Sequence, residues 1–597
     1  VNSKAKSQKP KSTAAVIKKI TALARSKNTA DHIQKLLVEL CRVDSTPNSE
    51  VSVMRDAEDR CFRILERELA TLSFAGGSME RRPINPAIQS HPNYSLPHFT
   101  KTLQRPEGLA PEDVYTDRSN LVYVAPGLND KGRGQSVALN AHVDVVHPYF
   151  PPRSKGGIVF GRGACDDKGP VVAFVTALRI LSEVMSRAGM SWNRNVVAMF
   201  VVEEETGGNG SLSLAIDREL KKLYDSVLIG ECAGLNIYPA NRGAVWYKAE
   251  LKPPGGVSAF EMSAFVIEEM EKEGAAIRAE SRHNLFPQRP VQTCHGIIGP
   301  FGEHPSRICG ETRFVIQFDR KPDAKTEALV RDCLESGLAQ YIGLYGDKSK
   351  VTNSATGKPM VPRHYDLKRR GNGFEVAVHG ATGHMGAIRE RDGAITKMAH
   401  LVRSLVISRS KLTALAGRMR LDLGETARRI APLNAARTAQ RAVPTTGESL
   451  ILEGGQGFVP THSIDEVMTR MRQAAQHGAE QYLGRCGRSE SGEEIVTVVY
   501  EKLHNAAFDG DPNSRAMRNA IAVAKMSGIW RDEPVAGWTV SCDARLFATE
   551  YPGMPVLTFG PGELAYAHSD QEQIALRDIA RAAEFLALFL LRQTGTI

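Results

Sequence analysis

Five groups of acidic and imidazole side chains follow apolar runs along this chain. They are His142 and Asp144 in LNAHVDVV, Asp166 in GRGACDDKG, Glu204 and Glu205 in VVEEETGG, Glu231 in LIGECAG, and His568 in YAHSDQE. Carboxylate oxygens mixed with imidazole nitrogens suit zinc, or the related cobalt and manganese ions. Singly, each group has a plainer reading. An HxD pair is more often structural than catalytic, a run of glutamates is usually a solvated face, and Gly-Arg-Gly is often only a turn. Together, each placed after a strand-like run, they meet the needs of a two-metal hydrolase, because α/β folds gather catalytic groups at strand ends.

A bridging carboxylate can hold two cations about 3.5–4 Å apart. Asp166 is the best candidate for that bridge, since its Gly-rich turn can approach both ions. His142 and Glu231 would complete one metal, and Glu205 and His568 the other. Each metal then keeps an open position for water, as catalytic sites require. On an extended segment Asp144 faces the same side as His142, where it would accept the free imidazole N–H and fix the tautomer. Glu204, directly before a ligand, is placed to take a proton from a metal-bound water and return it to a leaving amine. Cys165 and Cys232 also stand beside proposed ligands, but neighbours on extended chain point to opposite sides, so neither is counted as a ligand.

The elements that must position these groups follow from pattern. Residues 30–70 read as helix, NLVYVAP and SVALNAHVDVV as strands, and GPVVAFVTALRILSEVM as a long helix opened by Gly-Pro. VVAMFVVEEE and SVLIGEC read as buried strands. GWTVSCDARLF, PVLTFGPG and IALRDIARAAEFLALFLLRQ restore strand, strand and helix near the end. The fold class is therefore α/β: a layered, mostly parallel sheet with an inserted α+β lid. The expected division is a basic flexible tail at 1–29, a catalytic domain in two parts at 30–240 and 509–597, and the lid at 241–508. RFVIQFDRKPDAKTEALVRDCLESGLAQYIG resembles LILEGGQGFVPTHSIDEVMTRMRQAAQHGAEQYLG, and AVWYKAEL and GFEVAVHG read as the corresponding first strands, so the lid reads as two similar halves.

At 597 residues the chain exceeds a single core. Its net charge of +9 is concentrated in the tail and in residues 403–441, the latter read as a mobile insertion. The charge fits anionic substrates or simply a solvated surface. No aromatic-interleaved basic motif marks a nucleic-acid partner. No apolar stretch of about 18 residues is apparent, so no membrane partner is expected. Nine cysteines without a CxxC pair fit a reducing, cytoplasmic setting.

HVDVVHP, GRGACDDKGPVVA, EEETGGNGS, GECAG, SCDARLF, FGPG and AHSDQE resemble, in order, the zinc metallopeptidase family of acetylornithine deacetylase, succinyl-diaminopimelate desuccinylase, bacterial glutamate carboxypeptidase and the carnosine-type dipeptidases. The likeness covers roughly residues 30–245 and 505–597. It implies the same ligand set, with Asp166 bridging, Glu204 as base, and a cis Asp166–Asp167 peptide. VHGATGHMG resembles the family's lid motif, which implies that His384 reaches the substrate carbonyl and stabilises the oxyanion. SCDARLF implies that Arg545 faces a substrate carboxylate. The lid is more than twice the common size and resembles the dipeptidase subgroup, whose doubled lid mimics a dimer within one chain. The counterpart of His384 in the other half falls near Gly255. The resemblance therefore implies a monomer if the lid is duplicated, and a homodimer otherwise.

The expectation is a dinuclear hydrolase with two Zn2+ per chain (Co2+ or Mn2+ as alternatives). It would cleave a small carboxylate-bearing amide, an N-acyl amino acid or dipeptide, by metal-activated water. Glu231 points that way, since in this family glutamate there tends to mark carboxypeptidases and deacylases. The doubled lid points instead to an aminopeptidase-like dipeptidase that needs a free amine. A non-catalytic binding protein on the same fold is the alternative of another class.

Overall fold

The computed structural model describes residues 13–102, 104–128, 134–352, 357–388, 392–424 and 449–597. Its centre is a seven-stranded mixed sheet. Four strands at its heart run parallel: Val196–Val201, Val137–His142, Ser226–Gly230 and Val556–Phe559. Ser78–Pro83 and Ser119–Ala125 extend one side, and Ile237–Tyr238 closes the other, with antiparallel pairing. The central strands read as continuous apolar runs because both faces are covered. Along Val196–Val201, Val196, Ala198 and Phe200 enter one core, while Val197, Met199 and Val201 enter a second.

Helices Lys168–Ala188 and Leu576–Gln593 pack together over the first face. Lys168–Ala188 is long and apolar enough to pass for a membrane span, contrary to the expectation of no such stretch. It is a core helix, however, with 83% of the apolar window buried inside the fold. It ends at Gly189, whose left-handed φ of 65° suits a glycine stop.

The tail was expected to be flexible, yet Thr13–Ala24 and Lys27–Cys41 are helices. Val16, Ile20 and Ala24 are buried against the core, and Arg25 pairs with the buried Glu584 at 2.9 Å. Residues 1–12 lie outside the described residues. The strand expected in GWTVSCDARLF is absent: Trp538 makes only an isolated bridge to Asn241, and Ala544–Glu550 is a short helix.

Between these parts lie two four-stranded antiparallel sheets. Gly243–Leu251, Thr293–Ile298, Leu450–Phe458 and Val496–Asn505 form one, with helices Ala259–Glu280 and Ile464–Arg485. Glu311–Phe318, Tyr365–Arg370, Gly373–His379 and Met419–Leu423 form the other, with helices Ala324–Tyr345 and Ala394–Ile407. Both sheets have the order second–third–first–fourth strand, which is a βαββαβ unit. The second unit is inserted between the halves of the first, and one apolar cluster spans both. In the first unit each helix opens on a serine three residues before a glutamate: Ser258 accepts from Glu261 N and Ser463 from Glu466 N, both at 3.2 Å. The basic stretch expected to be a mobile insertion is partly structured. Residues 403–424 contain the end of helix Ala394–Ile407, helix Arg409–Ala416 and strand Met419–Leu423. Residues 425–441 lie outside the described residues.

Candidate metal centre

His142 closes its strand, and its ring lies over the loop that follows. Its Nδ1 is 3.0 Å from the Asp144 carbonyl and 3.4 Å from the Asp144 carboxylate. That fixes Nδ1 as the donor and turns Nε2 toward Asp166, whose Oδ1 is 3.3 Å away. The Asp144 carboxylate accepts the backbone N–H groups of Glu204 (3.2 Å) and Glu205 (3.0 Å). Asp144 therefore binds the loop that carries Glu204 and Glu205 as well as orienting the histidine.

The Glu204–Glu205 loop is held from below. Glu203 adopts a φ of 64°, a conformation that persists only where the surroundings enforce it. Arg118, fully buried, bonds both Glu203 and Glu58, and Tyr115 donates its hydroxyl to Glu203. Gly207 and Gly208 follow with φ of 136° and 81°. A side chain there would strike Ser95 or Asp543.

Asp166 stands between two histidines: Oδ1 faces His142 Nε2, and Oδ2 lies 3.3 Å from His568 Nε2. Its backbone N–H and that of Cys165 both donate to Glu572 at 3.0 Å, and Glu572 pairs with the buried Arg162. The Asp166–Asp167 peptide is cis. His568, itself at a φ of 56°, bonds Glu205 at 2.9 Å, and its Nδ1 is 3.4 Å from Ser306 Oγ.

Donor atoms of His142, Asp166, Asp167 and Glu231 lie within 4.8 Å of one another, and so do those of Asp166, Glu205 and His568. Asp166 belongs to both groups. All of these residues are buried. Burial, and then the neighbouring acids, push Glu231 and Asp167 well above the usual carboxylate range. Burial opposes charging of His568, but Glu205 and Asp166 raise it to about 9. A buried crowd of acids with so little positive charge is the environment a cation relieves. Two atoms fit that reading: His142 Nε2 and Asp167 Oδ1 are buried without a hydrogen-bond partner. The donor set therefore suits a pair of divalent cations.

Two further predicted residues come from elsewhere. His384 follows strand Gly373–His379, and its ring centroid lies 4.5 Å from that of His568. Gly386 N–H donates to His384 Nδ1 at 2.9 Å, and His384 N–H donates to the Ala567 carbonyl at 3.0 Å. Arg545 is 3% exposed and lies under the Glu204–Gly208 loop, where Nη2 donates to the Gly207 carbonyl at 3.0 Å. Its Nε and Nη1 have no hydrogen-bond partner. Sequence reasoning missed Asp167, Glu572, Ser306 and Arg307. Arg307 joins Asp570, two residues after His568, to the segment carrying Ser306. Asp167 and Glu572 sit inside quoted motifs, whereas nothing local marks Ser306 or Arg307.

The sequence profile of peptidase family M20/M25/M40 matches residues 138–592. A chain from Pyrobaculum aerophilum, provisionally named a LysW-lysine/LysW-ornithine hydrolase, is 29% identical over 219 residues, 36% of this chain and 58% of its own length. The match thus spans less than two thirds of that relative. Human carnosine dipeptidase 1 superposes with a TM-score of 0.52 at 13% identity, covering 97% of this chain and 100% of its own. The di-peptidase Dug1p from Saccharomyces cerevisiae gives 0.51 at 15% identity, covering 98% of each.

Proposed function

From the premise that the chain belongs to peptidase family M20/M25/M40 and is a metal-dependent hydrolase, we propose that it cleaves the amide bond of a small carboxylate-bearing substrate, an N-acyl amino acid or a dipeptide. The observation that carries this is two donor groups sharing Asp166, with His384 of the same chain beside them.

Two zinc ions would be held by His142, Asp166 and Glu231 on one side and by Asp166, Glu205 and His568 on the other. When bound there, the ions supply a water acidic enough to ionise near neutral pH and a Lewis acid for the carbonyl. Glu204 is the base. Its backbone is held by Asp144, and its side chain, next to a ligand, takes the water proton and passes it to the departing amine. His384 is the oxyanion donor. The Gly386 N–H bond to Nδ1 leaves the proton on Nε2, the nitrogen that would donate to the carbonyl oxygen as charge develops. Arg545, whose Nε and Nη1 have no hydrogen-bond partner, is assigned to a substrate carboxylate.

The test is a metal count followed by assays on N-acyl amino acids and dipeptides. The expected result is about two metals per chain and turnover of the acylated compounds. Glu204→Gln should keep its metals and lose on the order of 10²–10⁴ in rate. Full activity in metal-loaded Glu204→Gln would overturn the assigned base. The doubled lid favours a second reading, an aminopeptidase-like dipeptidase. Turnover of a dipeptide but not of its N-acetyl form would select it.

A further inference from the structure

Away from the metal centre, a cavity of about 460 Å³ opens where the two lid units meet. One wall is a stripe of helix Ala259–Glu280 that runs from Ala264 through Ile267, Glu271 and Gly274 to Arg278. At 1.5 Å per residue that stripe is about 21 Å long. Tyr345 and the His400–Arg403 face of helix Ala394–Ile407 close it from the second unit. None of the metal-centre residues lines it. Its volume falls in the range of small-molecule sites, roughly 300–1,000 Å³.

The groups with no partner indicate what would bind. Both lining carboxylates are engaged. Glu268 lies 2.6 Å from Arg403 and 3.3 Å from Lys272. Glu271 accepts the hydroxyls of Tyr345 (2.8 Å) and Thr396 (3.2 Å), with His295 Nε2 at 3.3 Å. The Arg278 side chain has no ion pair or hydrogen bond among the described residues. Burial and then the nearby Arg289, another cation, lower its pKa. His400 is 7% exposed and its Nδ1 is buried without a hydrogen-bond partner. Burial, with Arg403 beside it, brings its pKa down to about 4, so the ring is neutral near pH 7. Ile267, Val291, Leu344 and Ala399 add apolar wall. The unmet features are therefore a cation at the mouth and an apolar surface leading inward from it.

We propose that this cavity binds a small organic anion, a monocarboxylate with an aliphatic or aromatic body. The carboxylate pairs with Arg278, and the apolar body displaces water from the stripe. The cavity also borders the loop that carries His384. Gln292, in its wall, donates Nε2 to the carbonyls of Met385 (2.9 Å) and Gly386 (2.7 Å), and Ile388 lines it directly. An occupant would therefore press on the segment that sets the His384 ring. Binding itself needs no assumption about the reaction catalysed.

The test is calorimetric titration of the full, metal-loaded chain with octanoate, against octylamine and octanol as matched probes. Two variants locate the site. Arg278→Gln removes the cation, and Ala275→Trp fills the cavity from an exposed position of the helix. Octanoate is expected to bind the wild type at least tenfold more tightly than either other probe. Both variants should lose octanoate at least tenfold, with circular dichroism and melting temperature unchanged. No octanoate binding, tighter binding of octylamine, or wild-type affinity in both folded variants would each overturn the proposal. The last result would move the octanoate to another site.

Discussion

On the proposed mechanism, His384 is the residue at which metal binding and carbonyl activation separate. Its ring packs beside His568, its Nδ1 accepts from Gly386 N–H, and its backbone N–H donates to the Ala567 carbonyl. His384→Ala should therefore leave the metal content unchanged and lower kcat by about 10²–10³, the usual loss for one oxyanion donor. Elemental analysis beside steady-state kinetics checks this, and loss of a metal would put His384 among the ligands instead. The acid and imidazole groups of the candidate site were legible because metal donors, turn glycines and strand ends coincide in short motifs. Glu572 and Ser306 were not legible in the same way. Glu572 is one of 67 acids, and the backbone it holds at Cys165 and Asp166 lies some four hundred residues earlier. Ser306 meets His568 only because the lid folds back. Contacts of that kind leave no local pattern.

At the scale of elements, the first described helix is the clearest lesson in what composition hides. Its lysines suggest a solvated tail, but Val16, Ile20 and Ala24 recur every fourth residue on one face. That face packs on helices Lys168–Ala188 and Leu576–Gln593. Ile20, with no exposed surface, should cost about 2–5 kcal/mol when cut to alanine. The measurement is the shift in denaturant midpoint. A change within error would mean that the helix docks without contributing to stability. The parallel strands were legible for the opposite reason: apolar on both faces and bounded by turns, they match a buried sheet and little else. The segment before Ala544 was misread because Thr539 and Val540 have strand propensity, while pairing depends on a neighbour that sequence alone cannot supply.

At the scale of the whole molecule, the lid decides whether one chain is enough. Its duplication was legible in the likeness between the segments at 313–343 and 450–484. The nesting was not. In the structure that likeness joins the first βαβ half of the inserted unit to the second βαβ half of the outer one. Each unit has pseudo-twofold symmetry, so a sequence match between halves does not fix which half corresponds to which. Nesting matters for function because the inserted unit carries His384, and the closing sheets and shared core return it to the same chain's His568. On the proposed reading, no partner lid would be needed to complete the site. The expected species is a monomer of 65.2 kDa by light scattering, with specific activity independent of protein concentration. A stricter check mixes Glu204→Gln with His384→Ala, each defective in a different half of the site. If every chain uses its own histidine, the mixture is no more active than the sum of its parts. Recovery well above that sum would require one chain's His384 to serve another chain's metal centre, and the lid would then be acting between subunits.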